Sequence, residues 1–218
     1  MSKVTSYISM SLDGFITDPK ASVGTPLEGN DPGRLSDWQF DAKTEADAAI
    51  VDEIFASTGA VLMGKRMFEV GFEPWGDPPP YRMPVFIVTH EKRAPLPMKG
   101  GTTYNFVTGG IKAALELARA AAGNKNVGVW GGANIMRQYL QAGLLDEMNI
   151  HLVPVLLGGG IRLFEGLDPA GIELRRTSSI ENTGRHPLPI RSLPRVIPRD
   201  GGIFFGSFFL CAVGRSVV

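Results

Sequence analysis

Cysteine is almost absent from this sequence: its 218 residues include one, Cys211. A disulfide framework and a cysteine-rich zinc site are therefore both excluded. An excess of charge of either sign is also missing, with 22 Lys and Arg against 22 Asp and Glu. Nothing electrostatic then favours nucleic acid or an anionic membrane as a partner. Histidine is scarce, three residues in all; no two have metal-ligand spacing, and no metal site is expected. The longest apolar stretch, Ile203 to Val213, is interrupted by Gly206 and Ser207 and falls short of the roughly 20 residues that span a bilayer. The start, Met1-Ser2-Lys3-Val4, runs into strand-like sequence with no apolar core of its own. The expectation is no signal peptide and a reducing, cytoplasmic setting. Apolar residues, in contrast, make up 44% of the chain, enough for one domain with a sizeable core.

Along the chain, strand and helix patterns alternate. Val4 to Met10 mixes β-branched and aromatic residues and reads as a strand closed by Ser11-Leu12-Asp13-Gly14. Residues 17–39, rich in Gly, Pro, Asp and Ser, read as a long loop of the kind that orders around ligands. Thr44-Glu45-Ala46-Asp47 has the form of a helix cap, followed at helical spacing by Ile50, Val51, Ile54 and Phe55, with Gly59 expected to end the helix. Ala60 to Met63 is a buried strand, Lys65 to Val70 a short helix, and Gly71 to Met83, with four prolines, a loop. Strands are expected at 84–89, 102–107, 127–130 and 148–157, and helices at 111–122 and 134–142. This alternation predicts an α/β domain with a largely parallel sheet.

Four places could carry chemistry. In Val129-Trp130-Gly131-Gly132-Ala133-Asn134 a strand ends in two glycines and a helix begins at once, which suits a pyrophosphate at a helix N-terminus; the alternative is a tight turn that needs glycine only for its dihedrals. In Met63-Gly64-Lys65-Arg66-Met67 two cations stand at a helix start, where they oppose the dipole unless an anion joins them; alternatively both point to solvent. Thr89-His90 closes a strand at the end where open α/β sheets bind ligands. His151 lies within a strand pattern and reads as a packed or edge residue. Asp13 ends the first strand, as a candidate carboxylate for catalysis or as a turn former, and Trp38 stands in the loop region beyond it.

Taken together and in order, Ile8 to Ile16, Leu62 to Glu69, Val129 to Asn134, and Leu145-Asp146-Glu147 through Gly158-Gly159-Gly160 to Phe164 resemble the dihydrofolate reductase superfamily. The closer resemblance is to the reductase domain of riboflavin biosynthesis, the RibD C-terminal domain family, and its stand-alone bacterial relatives. The resemblance implies a dihydrofolate reductase-like three-layer α/β/α fold with a mostly parallel central sheet, and NADPH lying across the C-terminal edge of that sheet. Gly64, Lys65, Arg66 and Met67 would meet the adenosine-side phosphates. Thr89 and His90 would lie near the adenine ribose and its 2′-phosphate. Gly131, Gly132, Ala133 and Asn134 would cradle the pyrophosphate, and Ser9 and Ile16 would flank the nicotinamide. Asp13 and Asp41 are the candidate proton-handling acids and Trp38 the candidate substrate contact. The implied activity is reduction of a pyrimidine- or pteridine-type heterocycle, 5-amino-6-(5-phosphoribosylamino)uracil first, with dihydrofolate or pterin reduction or a non-catalytic nucleotide-binding role as alternatives. A homodimer is implied as well. The zinc deaminase segment that often precedes such reductases is not found.

Residues 1–180 read as the reductase domain and 181–218 as an atypical tail. All eight lysines lie at or before Lys125, while seven arginines fall from Arg175 onward, and neither period persists there. Relatives of this family end in a strand reading roughly Pro-Gly-Val-Thr-His-apolar-Arg-Tyr. Back-translated and read one base later, residues 183–191 permit that series. The expectation is a frameshift near residues 180–183 that replaced the native last strand and would leave a sheet edge exposed; the alternative is a genuine extension, such as an arm exchanged between subunits, and sequencing the gene separates them.

Overall fold

The computed structural model describes residues 2–17, 35–40, 44–180 and 190–196. Within them lies one nine-stranded sheet. In chain order the strands are β1 (Val4–Ser11), β2 (Thr58–Gly64), β3 (Val85–Val88), β4 (Leu96–Pro97), β5 (Thr103–Val107), β6 (Asn126–Val129), β7 (Glu147–Val153), β8 (Leu174–Ile180) and β9 (Ile190–Val196). The helices are α1 (Asp37–Phe40), α2 (Glu45–Ser57), α3 (Lys65–Trp75), α4 (Gly110–Ala122) and α5 (Ala133–Gln141). The strand order is β4-β5-β3-β2-β6-β1-β7-β9-β8. Its central strands, β5 to β7, run parallel to one another. Short β4 lies antiparallel at one edge, and β9 and β8 close the other.

Period-two alternation in the strands builds two layers of core. In β2, Ala60 and Leu62 face α4 and α5, joining Ala114, Leu115, Ala118, Ile135, Met136 and Tyr139. Val61 and Met63 face the other way, toward Phe68 of α3 and Phe55 of α2. A strand buried on both faces must be apolar at every position, which explains the unbroken run Ala60-Val61-Leu62-Met63. At the start of α2, Thr44 accepts a hydrogen bond from the amide of Asp47 and donates one to its carboxylate. Ile50 and Ile54 then point inward. Helices on both faces of a mostly parallel sheet give the three-layer fold expected.

Several expected boundaries shift. The helix over 45–57 ends before Gly59, which lies inside β2. Gly59 is required there by packing: a Cβ would stand 2.5 Å from the carbonyl oxygen of Ala122 at the end of α4. The short helix at 65–70 extends to Trp75 and carries Pro74 near its end, because the ring of Phe68 and the C-terminal residues of α3 pack on the aromatic layer of Tyr81 and Tyr104. The strand over 148–157 stops at Val153, one residue before Pro154. Around the aperiodic stretch after Arg175, residues 174–180 and 190–196 pair antiparallel, and 190–196 lie against β7. The edge of β7 that a missing last strand would expose is thus occupied by β9. Ile203–Val213 lies outside the described residues.

Candidate functional site

Parallel strands bring their C-terminal ends to one edge of the sheet, and that edge collects most of the residues named above. Three helices start there directly after strands: α3 after β2, α4 after β5, α5 after β6. Their N-caps are Gly64, Gly109 and Gly132, none with a side-chain cap hydrogen bond and none followed by an acid in the first turn. Helix α2, by contrast, is capped by Thr44 and has Glu45 and Asp47 in its first turn. Three helix ends on one edge therefore have no N-cap side chain to accept from their first amides and no acid in the first turn to meet the positive dipole end. Strands lie about 4.8 Å apart, so the starts of α4 and α5 span about 15 Å across β5, β3, β2 and β6.

The α3 and α5 ends are locked together. The amide of Gly64 donates to the carbonyl of Gly131 at 2.8 Å, and that of Trp130 to Leu62 at 3.0 Å. Gly131 has φ +112 and is joined to Gly132 by a cis peptide bond. A Cβ on Gly131 would meet nothing closer than Met67 Cγ at 3.9 Å, and one on Gly132 would meet nothing within 4 Å. The space in front of this pair is open, and Ala133 behind it is buried. The set fits a dinucleotide phosphate: glycines that let the backbone approach, and free amides to receive it. Asn134, one step into α5, is exposed and accepts from Gln138.

At the neighbouring strand ends, the Lys65 ammonium is bonded to the Glu91 carboxylate and lies 3.5 Å from Glu69. Thr89 is buried, and its hydroxyl accepts from the amide of Glu91 at 3.1 Å. His90 and Arg66 are exposed. Glu91 was not foreseen as part of this edge. Its type gives no signal, since its partner Lys65 follows a different strand.

On the α2 face of the sheet, Ser9 of β1 accepts from Trp38 Nε1 at 2.8 Å. The Trp38 ring stacks on His151 with centroids 3.6 Å apart and 10° between planes. Ser9 and His151 are register partners in β1 and β7, and His151 is fully buried. Trp38 also packs with Ile50, Ile54, Tyr7 and Trp130, which makes an aromatic-lined corner beside Ser9. Ile16 lies on the far side of the β1 turn, its amide bonded to Ile161.

The two acids fare differently. Asp41 lies outside the described residues, as does 18–34 of the long loop. Asp13 is placed as an organiser of turns. Its carboxylate accepts from the Ser11 hydroxyl at 2.6 Å and from the amides of Leu157 at 3.2 Å and Gly158 at 2.7 Å. Its backbone carbonyl receives Arg162 at 2.8 Å. Burial pushes the Asp13 carboxyl up, but the Ser11 hydroxyl and the amides of Gly158, Leu157 and Asp13 itself outweigh it, and the net shift is downward from 3.8. A carboxylate held ionised as an acceptor is not a proton donor near neutrality. This geometry does not support the donor role considered for Asp13.

Among the described residues no cluster of His, Cys, Asp and Glu could hold a metal ion, and no helix is long and apolar enough to cross a membrane.

Comparison with known proteins agrees with this architecture. The model of the RibD C-terminal domain matches residues 2–185. An uncharacterized protein of Bacillus subtilis (strain 168), YwjB, is 25% identical over 170 residues, covering 76% of this chain and 84% of that protein. Among solved structures, a candidate riboflavin biosynthesis protein from Shewanella sp. PV-4 superposes with TM-score 0.61 at 22% identity, over 87% of this chain and 96% of that one. A pyrimidine reductase-like protein from Corynebacterium diphtheriae gives 0.57 at 11% identity, over 90% and 92%. Dihydrofolate reductase from Enterococcus faecalis, in complex with NADP(H), gives 0.51 at 11%, over 87% and 91%. At these identities the structural likeness establishes the fold.

Proposed function

The chain belongs to the RibD C-terminal domain family, and from that premise we propose that it is an NADPH-dependent reductase of a pyrimidine- or pteridine-type heterocycle. The observation that carries this reading is the open edge formed by the Gly64, Gly109 and Gly132 N-caps. When bound, the cofactor supplies the hydride. The chain's own residues supply binding and orientation. The first amides of α3 and α5 would hold the phosphates, with Gly131 and Gly132 giving close approach. Lys65, Arg66, Thr89 and His90 would surround the adenine ribose. Ser9 and Ile16 would flank the nicotinamide, with the acceptor ring in the aromatic corner of Trp38, Tyr7 and Trp130. Trp38 Nε1 and the Ser9 hydroxyl, now bonded to each other, are the polar groups available to orient a ring carbonyl or nitrogen there. A uracil derivative of the riboflavin pathway is the substrate we favour, and a homodimer the assembly.

Two measurements test this. Titration of the purified protein is expected to give a dissociation constant for NADPH about tenfold below that for NADH, the scale of one charge-assisted hydrogen bond. Equal affinities would defeat the assignment of the phosphorylated cofactor. Steady-state oxidation of NADPH against a panel of pyrimidines and pterins should single out one ring class. Tight binding with no turnover on any ring would instead favour a nucleotide-binding role on the same fold.

A further inference from the structure

The start of α3 and the end of β3 form a charged corner of the described site edge. Lys65, Arg66, His90, Lys92 and Arg93 gather there, opposed by Glu69 and Glu91. The corner is built rather than accidental. Arg93 lies over the rings of Phe106, at 4.4 Å from the centroid, and Phe68, at 5.6 Å. Glu91 is positioned by its amide on the Thr89 hydroxyl, and its carboxylate takes the Lys65 ammonium. The bond to Glu91 raises the Lys65 pKa and, reciprocally, lowers that of Glu91, so both stay charged through the neutral range. Their side chains are 36% and 59% exposed. An ion pair that open to water contributes little to the fold, and its partners can be exchanged readily.

We infer that Glu91 sets the balance between phosphorylated and unphosphorylated dinucleotide at this edge, by occupying the cation that a phosphate monoester would take. This rests on the nucleotide-binding reading above. A 2′-phosphate arriving at Lys65 must displace or share the Glu91 carboxylate and then lie beside it, anion against anion. An unphosphorylated ribose meets no such opposition, and its hydroxyls can donate to the same carboxylate. Specificity is the difference between the two affinities. A corner with five basic residues is thereby held to a modest preference for NADPH, and removing the one charge of Glu91 should widen it.

The experiment compares the parent with Glu91→Gln, Lys65→Gln and the double variant. Each is titrated with NADPH, NADH, 2′-phosphoadenosine 5′-diphosphate and ADP, following binding by calorimetry, at low and high salt. Glu91→Gln is expected to tighten NADPH and 2′-phosphoadenosine 5′-diphosphate about tenfold, and to leave NADH and ADP unchanged or slightly weaker. The gain should shrink at high salt and be smaller when Glu91→Gln is made in the Lys65→Gln background, where competition for Lys65 is gone and only the repulsion between carboxylate and phosphate is left to relieve. An unchanged NADPH-to-NADH ratio in a Glu91→Gln protein that binds both would overturn the role of Glu91 and leave the nucleotide site standing. No binding of any of the four nucleotides by the folded parent would overturn both. The exposed position of Glu91 makes misfolding of the variant a small risk, and Glu91→Ser, read the same way, provides a second neutral side chain.

Discussion

Gly132→Val is expected to weaken dinucleotide binding about a hundredfold, a loss of about 2.7 kcal/mol of binding energy, while the thermal midpoint stays within about 2 °C of the parent. The two halves of this result come from one observation. A Cβ at position 132 meets no atom within 4 Å beyond those of its two chain neighbours, and φ −74 at this residue lies outside the left-handed region that would restrict it to glycine. The same volume lies directly before the first turn of α5, whose amides carry no side-chain cap. A branched side chain there would hold a phosphate away from those amides, and hydrogen bonds to a charged group weaken steeply with distance. Gly132→Ala should give the same pattern at smaller size. Calorimetric titration with NADPH beside a thermal melt reads both quantities. A large fall in the midpoint with unchanged affinity in the surviving folded protein would mean that Gly132 serves the fold and not a ligand.

Asp13→Ala should lower stability by about 3 kcal/mol at neutral pH, from three hydrogen bonds to one ionised carboxylate at roughly 1 kcal/mol each. For a domain of this size that corresponds to a fall of about 6–12 °C in the midpoint. The amides of Leu157 and Gly158 and the Ser11 hydroxyl lose their acceptor together, and the loop after β7 loses its tie to the turn after β1. Because the folded pKa of Asp13 is lowered, its contribution is present above the unfolded carboxylate value of about 3.9 and is lost as pH falls through the folded value. The gap in stability between parent and variant should therefore be flat from neutral to mildly acid pH and close only in strong acid. Urea denaturation at a series of pH values measures it. A variant as stable as the parent, with hydride transfer abolished, would return Asp13 to the proton-handling role that its hydrogen bonds argue against.

Much of the local structure was legible. Thr44 caps α2 because a hydroxyl three residues ahead of Asp47 satisfies amides that the helix leaves free, and that relation is contained in four consecutive residues. The strands β2 and β3 announce themselves by the apolar runs Ala60-Val61-Leu62-Met63 and Val85-Phe86-Ile87-Val88, since each is buried between its neighbours. The misreadings concern residues whose reasons lie elsewhere in the chain. Gly59 looks like a helix stop and is instead a contact with Ala122 of α4. Pro74 looks like a loop residue and lies within α3.

The sequence by itself determined the family, the alternation of strand and helix, and the glycine turns that would receive a phosphate, because each of these is a property of consecutive residues and their spacing. Only the tertiary structure decided what those residues meet. Lys65 follows β2 and Glu91 follows β3, and they bond because those strands are parallel neighbours. Trp38 stacks on His151 and bonds to Ser9 because β1 and β7 stand side by side beneath α1. Asp13 became an acceptor when the loop after β7 brought two amides to it. Strand order sets such meetings, and strand order follows from how the whole sheet buries its two faces, which no short window of residues contains.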